Sequence, residues 1–309
     1  MHNYSRITRL SVSAAAVGIV MFAYGCGDDR NVVAPRQVNS ASGAATSFVG
    51  ANPYFDSRVA ATDALHPSGV RALQRTAWVG RIHRDGLADF AAKLRAGQTN
   101  VRAERCAMLA SVISKYVPQT EAESGIRFTA HGKRDVVRNA VKSARPCAGY
   151  DPMSLWSTSS AASFEEGDDG LVSELGLSYG EMVINAVRGT NGYRPQVDNA
   201  VYGVLNQAVY AGLSQPDLDY IAGVGNESIS SSQYWYEVEQ SYGGTMPELD
   251  VDHQAMVIWG YVAIDALGCG LGAGSAAIGG ENRVRALLGQ CALIGLGSSA
   301  GAWLSIKML

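Results

Sequence analysis

No stretch of this chain alternates polar and apolar residues with period two for long, so a half-buried sheet has no sequence to build it. Nucleotide, metal and catalytic signatures are missing at the same level: there is no glycine-rich phosphate loop and no run of paired ligands. Charge is weak as well, with a net of -3 over 309 residues, and the basic residues are not interleaved with stacking aromatics. Nucleic acid is thereby excluded as a partner, and no cofactor is expected. Cysteine is scarce, at five, and that scarcity is informative once the chain's compartment is known.

What the sequence has in quantity is glycine, 35 residues, concentrated toward the C-terminus. Residues 255 to 306 form two apolar, glycine-studded segments joined by the charged turn Glu281-Asn282-Arg283-Val284-Arg285. Gly268 with Gly272, Gly270 with Gly274, and Gly297 with Gly301 lie four apart, the spacing that lets helix backbones approach closely. Each glycine costs a helix roughly 0.8 to 1 kcal/mol against alanine, so close packing must compensate. The expectation is an antiparallel helical hairpin turning at Gly279-Gly280. Cys269 and Cys291 are equidistant from residue 280 and would meet as a disulfide across it.

That hairpin is long enough for a bilayer or a protein core. Asp265, the lone acid within the first segment, would cost about 2.5 to 3.5 kcal/mol at a membrane centre, which favours burial in protein. On an apolar helix it needs a partner or a proton, and it is the candidate buried functional acid.

At the other end, MHNYSRITRLS is a basic leader and VSAAAVGIVMFAYG an apolar run too short to span a membrane. Cys26 follows the small residue Gly25, and Ala23-Tyr24-Gly25-Cys26 resembles the lipobox of bacterial lipoproteins. The resemblance covers residues 1 to 26 only, with Ala23 where that family usually carries leucine. It implies cleavage before Cys26, lipidation of that thiol, and a membrane partner through the lipid, with the protein held at the cell envelope on the outer membrane or periplasmic face. It implies nothing about activity. Residues 26 to 50 read as a polar tether and 51 to 309 as the folded part. In such an oxidising compartment the four remaining cysteines form an even set. Cys106 and Cys147 flank Ser124-Gly125 almost symmetrically, so 106 with 147 and 269 with 291 is the expected pairing.

Within the folded part, residues 51 to 150 carry 16 Lys or Arg against 8 Asp or Glu, and 151 to 309 carry 5 against 18. The basic stretch, the acidic stretch from 151 to 249 and the hairpin from 250 are expected to dock within one fold. Apolar residues recur at three and four through Val70, Leu73, Ala77, Trp78, Ile82, Leu87, Phe90 and Leu94. A second helix is expected to stop at Pro118 and a third to begin near Lys133. Ser178 with Glu181 has capping-box spacing, Pro195 fits a first turn, and separate helices follow Ser214 and cover SSQYWYEVEQSY. The fold expected is all-α, a single domain of about nine helices around the glycine-rich hairpin.

Few residues suggest chemistry. Gly297-Ser298-Ser299-Ala300-Gly301 matches GxSxG, but nothing before it reads as a strand, so small-residue packing is the blander account. Asp250, Asp252 and His253 could ligate an ion but have no second histidine at ligand spacing. Glu165, Glu166, Asp168 and Asp169 lack the alternation of a calcium loop. His83-Arg84-Asp85 echoes a kinase catalytic loop in letters alone, and His83, like His66 and His131, is expected at the polar edge of its helix. The aromatic group Tyr234-Trp235-Tyr236 suits a core wall or a glycan platform. These features give a lipid-anchored envelope protein in a non-enzymatic binding or structural role, its protein or glycan partner unspecified. A membrane-inserting hairpin and a serine hydrolase using Ser299, His253 and Asp265 are the alternatives.

Overall fold

The structure, a computed structural model, describes residues 65–97, 101–149, 170–190, 192–241, 251–278 and 281–307. Cys26, the leader and tether, and Glu165 to Asp169 lie outside the described residues, as does Asp250. The side chains of Asp252 and His253 lie outside them too.

Among the described residues there are eight α-helices and no named strand: α1 (Pro67–Gly97), α2 (Arg102–Ser124), α3 (Ala130–Ser143), α4 (Glu174–Arg188), α5 (Arg194–Tyr210), α6 (Gln215–Ser241), α7 (Val251–Ile278) and α8 (Val284–Lys307). A short 3-10 turn, Arg145–Cys147, follows α3. The fold is all-α, as the missing period-two pattern requires.

The count is eight because two expected helices are one. α6 runs unbroken through Gly223 and Gly225, where a Cβ would lie 2.2 Å from Leu288 Cδ2 and 2.4 Å from Val201 Cγ1. Those glycines are contact points for neighbouring helices, and packing overrides their breaker tendency. α2 likewise continues past Pro118 to an αL cap at Gly125, φ 74°, since proline removes one helical hydrogen bond without unwinding a helix held by its neighbours. α4 starts five residues earlier than Ser178 predicts. Its N-cap is Ser173, whose hydroxyl accepts from the Gly176 amide.

α8 is the axis of the fold. It packs against α1, α2, α3, α6 and α7, and nearly every side chain described from Val284 to Leu304 is buried. It pairs with α7 as the expected hairpin, and α7 leaves Ile264 and Leu267 partly exposed. The Cα atoms of Cys269 and Cys291 come to 3.9 Å, with the sulfurs at disulfide-bonding distance. Cys106 and Cys147 are bonded in the same way, tying α2 to the 3-10 turn after α3.

The glycine rows divide their work. Gly268 and Gly272 serve the hairpin, facing Ser298 and the Gln290 carbonyl. Gly297 and Gly301 instead face the other way, where a Cβ would fall 1.8 Å from the Ala140 carbonyl oxygen and 2.5 Å from Ala144 Cα. Gly274 meets nothing within 4 Å. No helix among the described residues is long and apolar enough to cross a membrane.

Candidate functional site

The centre of the molecule holds charge. His83 of α1, Glu227 of α6, Asp265 of α7 and Ser299 of α8 all have zero exposure, so four helices each deliver one polar side chain to one dry point. The sequence puts them there by the same rule that buries leucine. His83 lies on the inner stripe of α1 with Val79, Ile82, Leu87 and Phe90, and Glu227 lies on the α6 stripe with Val224 and Ile221. Glycines let the backbones close around them. At Gly80 a Cβ would sit 2.1 Å from Ser230 Oγ, and at Gly295 it would sit 2.8 Å from Glu227 Oε1.

His83 is the hub. Its Nδ1 is 2.8 Å from Glu227 Oε1, and its Nε2 is 3.5 Å from Asp265 Oδ2 and 3.1 Å from Ser299 Oγ. Asp265 Oδ2 also accepts hydrogen bonds from Ser231 Oγ and, at 3.1 Å, from Trp235 Nε1. Trp235 stacks on Tyr261 at 4.1 Å between ring centroids and tilts against Trp303 at 5.7 Å. The aromatic triplet is therefore mostly core wall.

The network is under-supplied with hydrogen bonds. Although Nδ1 and Oε1 are close, the oxygen lies off the ring N–H axis, and the contact is an ion pair rather than a hydrogen bond. His83 Nδ1, both oxygens of Glu227 and Asp265 Oδ1 are buried without a hydrogen-bond partner.

Burial disfavours a charged imidazole at His83, but the Glu227 and Asp265 carboxylates outweigh it and raise the pKa to about 10. Burial raises the Glu227 carboxyl, against the attraction of His83 and with the repulsion of Asp265. Burial and Asp265 push the Tyr261 hydroxyl up. Two acids thus compete to hold a proton on His83.

These positions correct one sequence expectation: His83 is at the core and not at the polar edge of α1. Ser299 contacts His83, while the side chain of His253, its expected partner, lies outside the described residues. The GxSxG run lies inside α8, so it forms no strand-to-helix elbow. Asp265 finds the partners it needs. His66 accepts from the Ser68 amide, and the partly exposed His131 contacts Arg134 and the buried Asp135. Glu227 went unnoticed in the sequence, although it carries the same signal as Asp265, an acid on an apolar helical stripe.

Fold and site together define a class: an all-helical protein built around a buried histidine–carboxylate centre. Family models, curated proteins and solved structures contain no match to the chain.

Proposed function

We propose that this chain is a lipid-anchored protein of the bacterial cell envelope that binds or holds rather than turns over a substrate. The observation that carries the reading is the sealed character of its polar centre. His83, Glu227, Asp265 and Ser299 are fully buried, where a bound species can be retained but a bulky substrate cannot reach a nucleophile. Surface hollows lie elsewhere: one of about 530 Å³ involves Glu121, Arg127, Phe128 and Lys133, and one of about 160 Å³ involves Arg95, Glu237 and Trp303. Two cysteine pairs at bonding distance suit an exported protein, and the lipobox-like run ending at Cys26 supplies the anchor.

One observation favours a second reading. Ser299 Oγ, His83 Nε2, His83 Nδ1 and Glu227 follow one another in the order of a serine-hydrolase relay. Burial of the serine and its place inside a helix count against it.

Two measurements test the reading. Cells fed radiolabelled palmitate should label the wild-type chain and not a Cys26→Ala variant, and a fluorophosphonate probe should leave the native protein unmodified. A wild-type chain without lipid would overturn the anchor. Stoichiometric labelling of Ser299 would replace binding by hydrolysis.

A further inference from the structure

We infer that His83, Glu227 and Asp265 form a binding site for one divalent transition-metal ion, the species that the buried centre holds. This rests on the binding reading above and names its ligand.

Three observations converge on it. The three side chains can each offer one ligand atom with all such atoms within 4.8 Å of one another. Atoms about 2.1 Å from a common ion stand roughly 3.4 Å apart in a tetrahedron, so a pair at the 4.8 Å limit must close by about 1.4 Å while His83 Nδ1 and Glu227 Oε1, at 2.8 Å, must open slightly, both within reach of small side-chain rotations. The atoms without hydrogen-bond partners are the ones an ion would use: His83 Nδ1, Glu227 Oε1 and Oε2, and Asp265 Oδ1. Buried polar atoms are seldom left unmatched, and an unplaced ion is one of the standard reasons. The remaining lone pairs and protons are already occupied in the way ligand-supporting groups occupy them. Ser299 contacts His83 Nε2, while Ser231 and Trp235 hold Asp265 Oδ2. Such outer contacts fix the ring tautomer and the carboxylate rotamer.

Charge agrees with geometry. Two buried carboxylates with one neutral imidazole carry -2, which a divalent ion cancels, and uncompensated charge in a dry interior is costly. One nitrogen and two or three carboxylate oxygens form a borderline-hard donor set. It suits zinc, cobalt, manganese or ferrous iron; the imidazole argues against calcium and magnesium, and the absence of thiolate against cuprous copper.

The test uses the full mature chain in detergent, stripped with chelator and then titrated with Co2+ or Zn2+. Co2+ should produce visible d–d absorption that saturates at one equivalent, and excess Zn2+ should raise the thermal midpoint by at least about 5 °C. Glu227→Gln, which keeps size and removes charge, should weaken Co2+ binding at least about tenfold. Asp265→Asn supplies the same comparison where Glu227→Gln does not fold. No saturable Co2+ spectrum from folded wild-type protein overturns the site, and so does binding that both variants leave within twofold of wild type. Palmitate labelling of Cys26 and resistance to fluorophosphonate do not depend on the ion, so failure here leaves the envelope-binding reading standing.

Discussion

Asp265 shows how much one side chain can be asked to hold. It accepts from Ser231 and Trp235 and stands beside His83, all in a region without water access. Asp265→Ala would leave those donors facing a void, and breaking a buried charged pair costs about 3 to 5 kcal/mol. Ser299→Ala removes one hydroxyl contact and should cost only about 0.5 to 1.5 kcal/mol. Urea unfolding of the two variants checks the contrast, and equal losses would refute the hub arrangement. A pH dependence follows from His83 with chelator present. Its folded pKa, about 10, is above the unfolded value of about 6.5. The stability it contributes is fully present below the unfolded value and is lost as pH rises through the folded one. Glu227, also raised, has the same sign at lower pH. The unfolding free energy of metal-free protein should therefore fall between pH 6 and pH 10, and His83→Gln should flatten the profile. The sequence announced Asp265 because an acid interrupts a long apolar run there. His83 and Glu227 were harder to see, since their helices also carry solvent-facing charge and the apolar stripe emerges only when the spacing is followed residue by residue.

Helices in this chain begin and pack through specific small contacts. Asp217, near the start of α6, accepts from the Ser214 hydroxyl and amide and, at 2.7 Å, from the Ser173 amide at the head of α4. Burial pushes its carboxyl up, but these hydrogen bonds outweigh burial and hold it below the ordinary value. A depressed folded pKa contributes stability that is present above the unfolded value, about 3.9, and disappears as pH falls through the folded one. Asp217→Asn should therefore reduce stability at pH 7 and lessen the loss seen on acidification below about pH 4. A variant with the wild-type acid profile would remove Asp217 from that role. Glycine gives a second contrast. Gly297→Ala would drive a methyl group into the Ala140 carbonyl of α3 and should lower the thermal midpoint sharply. Gly274→Ala meets open space and should gain about 0.8 to 1 kcal/mol of helix propensity. Sequence spacing identified both as members of small-residue rows, yet only three-dimensional packing separates the glycine that is needed from the one that is dispensable. The same limit applies to Pro118, which reads as a stop, and to the expected break between the helix after Ser214 and SSQYWYEVEQSY; neighbouring helices carry the chain through both.

At the scale of the molecule, the order of burial predicts the order of opening. α8 touches five other helices, including α1 and α6, which deliver His83 and Glu227. Exchange of its amides therefore requires most of the bundle to come apart, while α5, which packs chiefly on α4 and α6 with Tyr210 exposed at its end, can loosen by itself. Hydrogen exchange on a chain beginning at Ser47 should find the slowest amides in α8, with those of α7 around Cys269 close behind. That chain should remain in the aqueous phase when detergent separates, because the helix richest in glycine and apolar residues is already wrapped by protein. Fast exchange in α8 together with partition into detergent would transfer the hairpin from a core to a lipid surface. In that arrangement Asp265 would lose Ser231, Trp235 and His83 at once and would have to take up a proton. One experiment thus tests both the wrapping of the hairpin and the charged centre that depends on it.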